Sequence, residues 1–254
     1  LHLAGKITIP LDLASLPTQG ALQGEMQTAY LEKPLLLDMR WQQQQGMLTV
    51  SEKGDDRPLA VLPWEVAPQR LSIKQGEWRW PYSGQPLNGG LNIALHDWSK
   101  GWDETEISAR LNVITAGHNG KGNAVLTLGP GKVGLTDSDL RFQLTGQANL
   151  ADFSTTASIP GVIGGSILNP TLVLQPGSLL RLWGKVTPEM KLEEARLPLA
   201  GVKVTAAGIT GRLQAILSAS DSYWGRFKLH LDGQAQDFWP DKGDWQWRYW
   251  GNGR

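Results

Sequence analysis

Glycine and proline interrupt this chain so often that a long helix has no room. Glycine occupies 30 of the 254 positions and proline 15. The longest stretch free of both, Trp102 to Ala116, alternates instead of repeating every 3.6 residues. Ile107, Ala109, Leu111 and Val113 share one phase, with Glu106, Ser108, Arg110 and Asn112 between them. In a strand this spacing sends the apolar set to one face and the polar set to the other.

The same pattern recurs along the sequence. Leu87, Gly89, Leu91, Ile93 and Leu95 alternate with Asn88, Asn92 and His96. Leu126 and Leu128 follow, then Leu140, Phe142 and Leu144. Further on come Leu172 and Leu174, Leu180 and Leu182, Val202 and Val204, and finally Phe227, Leu229 and Leu231. Upstream, Leu1 to Ile9 and Leu35 to Trp41 do the same. Turn chemistry separates these runs at Gln45-Gly46, Lys53-Gly54, Asn119-Gly120, Gly129-Pro130-Gly131, Asn169-Pro170 and Asp232-Gly233. The reading is all-β, with roughly 16 to 19 strands and few short helices, such as one turn at Asp12 to Leu16. Residues 1–254 read as one continuous segment, with a long loop expected near 159–170.

Composition then removes several classes of function. Lys plus Arg number 24 and Asp plus Glu 24, so the basic surplus that nucleic acid demands is missing. Cysteine is absent, which removes disulfides and thiol chemistry together. The longest aliphatic run is Leu59 to Leu62, far below the ~20 residues of a spanning helix. A first residue of Leu1 instead of Met reads as an excised or processed piece.

No motif for catalysis, metal or cofactor survives inspection, and the chain does not read as an enzyme. Gly129 to Gly134 spells G-x-G-x-x-G, but the segment after it alternates with period two, so no helix opens there for a pyrophosphate. A β-turn is the better reading. Gly164-Gly165-Ser166 lacks the closing glycine of a nucleophile elbow and reads as a loop serine. The four histidines, His2, His96, His118 and His230, are scattered without metal-ligand spacing. Adjacent acids such as Asp55-Asp56 and Glu193-Glu194 face opposite ways in a strand and make poor acid/base pairs.

Tryptophan is the remaining anomaly, with 12 residues against 4 Phe and 4 Tyr. Trp78 and Trp80 share one strand face, as do Trp245 and Trp247. Packing explains such residues by default; a stacking platform for sugars or an amphipathic rim beside lipid are the functional readings. So many strands with one apolar face must hide that face, because soluble monomers expose only modest apolar patches. A sheet of this size has to curl, and a curled sheet with an apolar inside is a conduit for acyl chains.

Residues 195–204 (Ala-Arg-Leu-Pro-Leu-Ala-Gly-Val-Lys-Val), leading into Gly208-Ile209-Thr210-Gly211, resemble the AsmA-like, TamB-like family of bridge-like lipid-transfer proteins of Gram-negative bacteria. So do Trp80-Pro81-Tyr82-Ser83-Gly84-Gln85-Pro86-Leu87 and Gly101-Trp102-Asp103-Glu104-Thr105, and the likeness extends over essentially the whole chain. It implies a long, strongly curled antiparallel β-sheet forming an apolar, taco-like groove. It also implies a periplasmic body on an inner-membrane anchor, and phospholipid transport towards the outer membrane. The resemblance further implies a small outer-membrane lipoprotein as partner, joined by strand addition at the far end of a complete protein. It brings no catalytic residues. The groove lining expected from the apolar phases is Leu87, Leu91, Ile93, Leu95, Ile107, Leu111, Val113, Leu126, Leu128, Leu140, Phe142, Leu144, Leu172, Leu174, Leu180, Leu182, Val202, Val204, Phe227 and Leu229. A glycan-binding β-sandwich that uses its Trp pairs is the alternative.

Overall fold

A computed structural model of the chain describes residues 2–8, 19–27, 33–81, 86–97, 104–117, 120–166, 168–239 and 242–253. Its elements are strands throughout, with no α-helix among the described residues. The turn expected at Asp12 to Leu16 lies outside those residues, as does His118. The chain divides into two compact units, Leu1–Val113 and Ile114–Arg254, and the division falls inside one strand.

The first unit is an antiparallel meander. Its strands are β1 (His2–Thr8), β2 (Gln19–Met26), β3 (Leu35–Gln42), β4 (Gln45–Glu52), β5 (Ala60–Ala67), β6 (Arg70–Trp80) and β7 (Leu87–His96), each paired to the next. β8 (Glu106–Gly117) follows and carries the chain into the second unit.

The second unit holds β9 (Gly120–Val133), β10 (Ser138–Leu150), β11 (Phe153–Ser166), β12 (Asn169–Leu174) and β13 (Leu179–Lys185). β14 (Met190–Pro198), β15 (Lys203–Val204), β16 (Ile209–Asp221), β17 (Gly225–Trp239) and β18 (Lys242–Gly253) complete it. β11 pairs with β12 over one half of its length and with β13 over the other. β16 likewise pairs with β15 and β14. β12 and β13 are therefore one long strand interrupted at 175–178, and β14 and β15 one long strand interrupted at 199–202. The two interruptions lie side by side, joined by Leu199 N–H to Ser178 O (2.9 Å) and Gly201 N–H to Leu174 O (2.8 Å). Gly177 approaches the Pro160 ring, which belongs to the polar phase of β11 opposite Gln143.

Three turn and loop expectations are corrected. The long loop near 159–170 is the end of β11 and the start of β12, and Ser166 is a strand residue whose Oγ accepts the N–H of Asn169 (3.1 Å). Pro160 made this stretch look like loop, yet its carbonyl, and so its missing N–H, faces the 175–178 interruption. There Gln175 N–H and Ser178 Oγ–H donate to the Pro160 carbonyl and no ladder partner is lost. Gly129-Pro130-Gly131 is not a turn but a bulge within β9, where the register with β10 shifts and Gly129 takes φ of 74°. Asp232-Gly233 lies in mid-strand in β17, because Arg212 on β16 grips the Asp232 carboxylate with two hydrogen bonds (2.7 and 2.8 Å). The true hairpin is at 222–224, closed by Asp221 Oδ1 accepting from the backbone N–H groups of Tyr223 and Trp224.

Candidate functional site: an uncovered apolar face

Cross-strand partners share a face, so the registers trace each face from strand to strand. In the first unit one row runs Leu22, Met39, Leu48 and Leu62, and another Leu71 and Leu95. Gly76 stands opposite Leu91, and Ile73 opposite Ile93. In the second unit Leu126, Leu144 and Ile159 share a row, as do Leu128, Phe142, Gly161 and Leu174. Leu180 and Leu197 pair, Leu172 pairs with Val204, and Ala195, Leu217 and Leu229 form a third row. Ile107, Leu111 and Val113 share one phase of β8.

Charge takes the other phase. Asp38–Arg40, Glu25–Lys53, Glu65–Lys74 and Asp55–Arg79 are ion pairs of the first unit, and Glu194–Arg196, Asp232–Arg212 and Glu193–Arg226 of the second. Glu193 and Glu194 do not face opposite ways as their adjacency predicts. A bulge at Leu192/Glu194 lets each reach its own arginine. The backbone N–H of Arg57, then the Arg79 guanidinium, hold Asp55 below the usual carboxylate range. Lys74 does the same for Glu65, and Arg196 for Glu194. These are solvated surface groups, not poised catalysts.

The apolar face is half-covered at most. Hydrophobic residues make up 41% of the chain, yet among the described residues only ten apolar side chains are buried. No large side chain is completely buried. Of the expected groove lining, Leu140, Phe142 and Val202 are buried and the others are half-buried. Two sheets packed face to face would bury most of their inner side chains, and neither unit does so.

What alternation alone misses is how the tryptophans sit. A Cβ placed on Gly20 would lie 2.2 Å from Trp41 Cζ2, and one on Gly46 would lie 2.3 Å from Trp64 Cζ2. At Gly89 it would meet the Asn112 carbonyl at 1.8 Å and Trp78 Nε1 at 3.1 Å. Each ring covers a glycine of the neighbouring strand, the device that compensates a bare glycine in a sheet. One π-face of each ring is therefore spent on the sheet, which leaves the sugar-platform reading without support. Glycines in the apolar phase, opposite aromatic positions, were the signal that could have found this.

A concavity of about 840 Å³ beside the β3–β4 hairpin also lay beyond the sequence reading. Polar-phase side chains dominate its lining. Its two cations are already engaged, Arg40 by Asp38 (2.7 Å) and Lys74 by Glu65 (2.8 Å). No group of three His, Asp or Glu side chains able to hold a metal gathers among the described residues, and none of their helices is long and apolar enough to cross a membrane.

The family model described as YdbH-like, intermembrane phospholipid transport protein YdbH, matches residues 1–254. The chain belongs to the YdbH-like family. It is 45% identical over 255 residues to the probable phospholipid transport protein YdbH of Escherichia coli (strain K12). That match covers all of this chain and 29% of the relative, so the chain spans under a third of the relative's length. No solved structure matches. The family is one of lipid transport, not of known enzymes.

Proposed function

We propose that this chain is a segment of an apolar groove that conducts phospholipid acyl chains between the inner and outer membranes across the periplasm. The observation that carries the reading is the apolar face itself, traced by cross-strand partners within each unit across several bulges, opposite the ion-paired face and left half-exposed. An apolar face left half-exposed among the described residues calls for another apolar cover, and acyl chains supply one. The printed function of the family and of the E. coli relative supports the same cargo.

The mechanism is partition, not chemistry. Each CH₂ removed from water contributes ~0.8 kcal/mol, so a uniform lining holds tails firmly without fixing them at one place. Neighbouring positions along the face are then nearly equal in energy, and a lipid can slide. Inner-membrane anchoring belongs to this reading. So does a small outer-membrane lipoprotein that adds a strand to a sheet edge.

Native mass spectrometry of the purified chain tests the proposal. Bound phospholipid that is lost when Leu144 becomes Arg, with the fold retained, is the expected result. A protein that stays lipid-free after incubation with phospholipid vesicles would sink it.

A further inference from the structure

The apolar face of the first unit is not uniform. Trp41 and Trp64 share one row, through Gly46, near the β3–β4 hairpin. Trp78 stands in the row of Val50 and Ala60, and Trp80 pairs with Leu87 beside it, toward the opposite strand ends. Between the two rows the face is aliphatic: Met39, Leu48, Leu62 and Leu91. Trp64 lies four residues from Ala60, the partner of Trp78, so the rows are about 13 Å apart at ~3.3 Å per residue. Indoles flanking an aliphatic band are the arrangement that suits a boundary between hydrocarbon and polar groups.

A second observation concerns hydrogen bonds. The indole Nε1 atoms of Trp64 and Trp78, one from each row, are buried and have no hydrogen-bond partner. A buried N–H without an acceptor is unusual and calls for an explanation. Each ring lies over a glycine of the neighbouring strand, Trp64 over Gly46 and Trp78 over Gly89, where no Cβ blocks a tilt of the ring.

We propose that Trp64 and Trp78 are ester-level contacts, whose indole N–H groups donate to the carbonyl oxygens of a diacyl lipid lying with its tails on the aliphatic band. This inference rests on the groove reading and deepens it. A neutral acceptor fits better than the phosphate, because no Lys or Arg occupies the apolar phase among the described residues of this unit. Free hydrocarbon offers no acceptor, and an ether-linked lipid has tails and headgroup but no ester carbonyl.

The test compares lipid uptake from vesicles of diacyl phosphatidylcholine with uptake from vesicles of its dialkyl ether analogue. Wild-type chain, W64F, W78F and the double variant are loaded in parallel, with circular dichroism as the check on folding. Phe still covers Gly46 or Gly89 but has no N–H. Wild type should favour the diacyl lipid about five-fold, as a hydrogen bond of ordinary net strength implies. Each single variant should reduce that preference and the double variant should abolish it, with dialkyl uptake unchanged. A preference that persists in the folded double variant overturns the assignment to these indoles. Equal uptake of both lipids by wild type overturns the ester contact while leaving the groove intact. Uptake of neither lipid overturns the groove and this inference together. If the variants do not fold, the wild-type comparison still decides whether an ester is read.

Discussion

The two units build the same two-faced sheet by different local means. In residues 1–113, glycines of the apolar phase at Gly20, Gly46 and Gly89 are roofed by Trp41, Trp64 and Trp78. In residues 114–254 one such pair recurs with a smaller ring, Phe142 over Gly161, where a Cβ would come within 2.2 Å of Cζ. There the small residues Ala195, Ala219 and Ala235 are buried instead, and two adjacent strands are interrupted at the same level. Indoles keep an apolar face smooth where glycine leaves it bare. Paired interruptions break two neighbouring strands at one level.

The largest expected effect tests whether both units serve the same cargo. Leu62→Arg in the first unit and Leu144→Arg in the second place an unpaired charge on the apolar face, where desolvation is costly. Bound phospholipid per chain should fall at least several-fold in each. Gln143→Leu, on the opposite face, should leave loading unchanged, and by the same logic Leu111→Arg should cost more than Arg110→Leu. If Leu62→Arg loads normally while Leu144→Arg does not, the two faces are not equivalent and only the second conducts lipid.

Next in size are the glycines, which separate ring cover from backbone contact. Gly89→Ala drives a methyl into the Asn112 carbonyl and should cost about 3 kcal/mol, with no side chain able to yield. At Gly20→Ala the three nearest atoms all belong to the Trp41 ring, so about 1–2 kcal/mol is expected, largely recovered when Trp41 is also changed to Leu. Gly161→Ala should be half-rescued by Phe142→Leu, since the Val173 carbonyl stands 2.9 Å from the new methyl as well. Urea midpoints of the single and double variants measure all three.

Period-two alternation made the strands and their apolar phases legible, because one register slip would move a whole set of side chains to the wrong face. The runs at Leu87, Leu126, Leu140 and Phe227 all lie in strands with the expected phase. Interruptions were not legible. Pro160, Pro130 and Pro63 look like strand breakers, yet Pro130 and Pro63 sit where the register shifts and Pro160 where the neighbouring strand loops out. That requirement is set by the adjacent strand, which a single local window does not contain. The Trp-over-Gly pairs were hidden for the same reason, since Gly20 and Trp41 meet only once β2 and β3 are in register. Pro63→Ala and Pro160→Ala should accordingly change stability by less than about 0.5 kcal/mol, and a loss of more than ~2 kcal/mol would mean that the prolines themselves set the interruptions.

The smallest effect concerns the polar faces at low pH. Asp55 and Glu65 in the first unit, and Glu194 in the second, have carboxyls held below their ordinary range, led by the Arg57 N–H, Lys74 and Arg196 respectively. A carboxylate depressed in the folded state binds fewer protons there than in the unfolded state. Its contribution is therefore complete above the unfolded value, near 4, and is lost as pH falls through the lower folded value. All three are solvent-exposed, and such pairs are weak and screened by salt. Acid unfolding should thus begin only below about pH 4, and added salt should blunt its steepness. Tryptophan is divided evenly between the units, six residues in each, so emission and circular dichroism both report on the two together. D55N combined with E65Q, and E194Q on its own, should each flatten the acid limb seen by emission and by dichroism. Identical acid limbs in all variants would show that these pairs hold neither unit together. The comparison between the units would then rest on their apolar faces alone, on indoles over glycine in one and paired interruptions in the other.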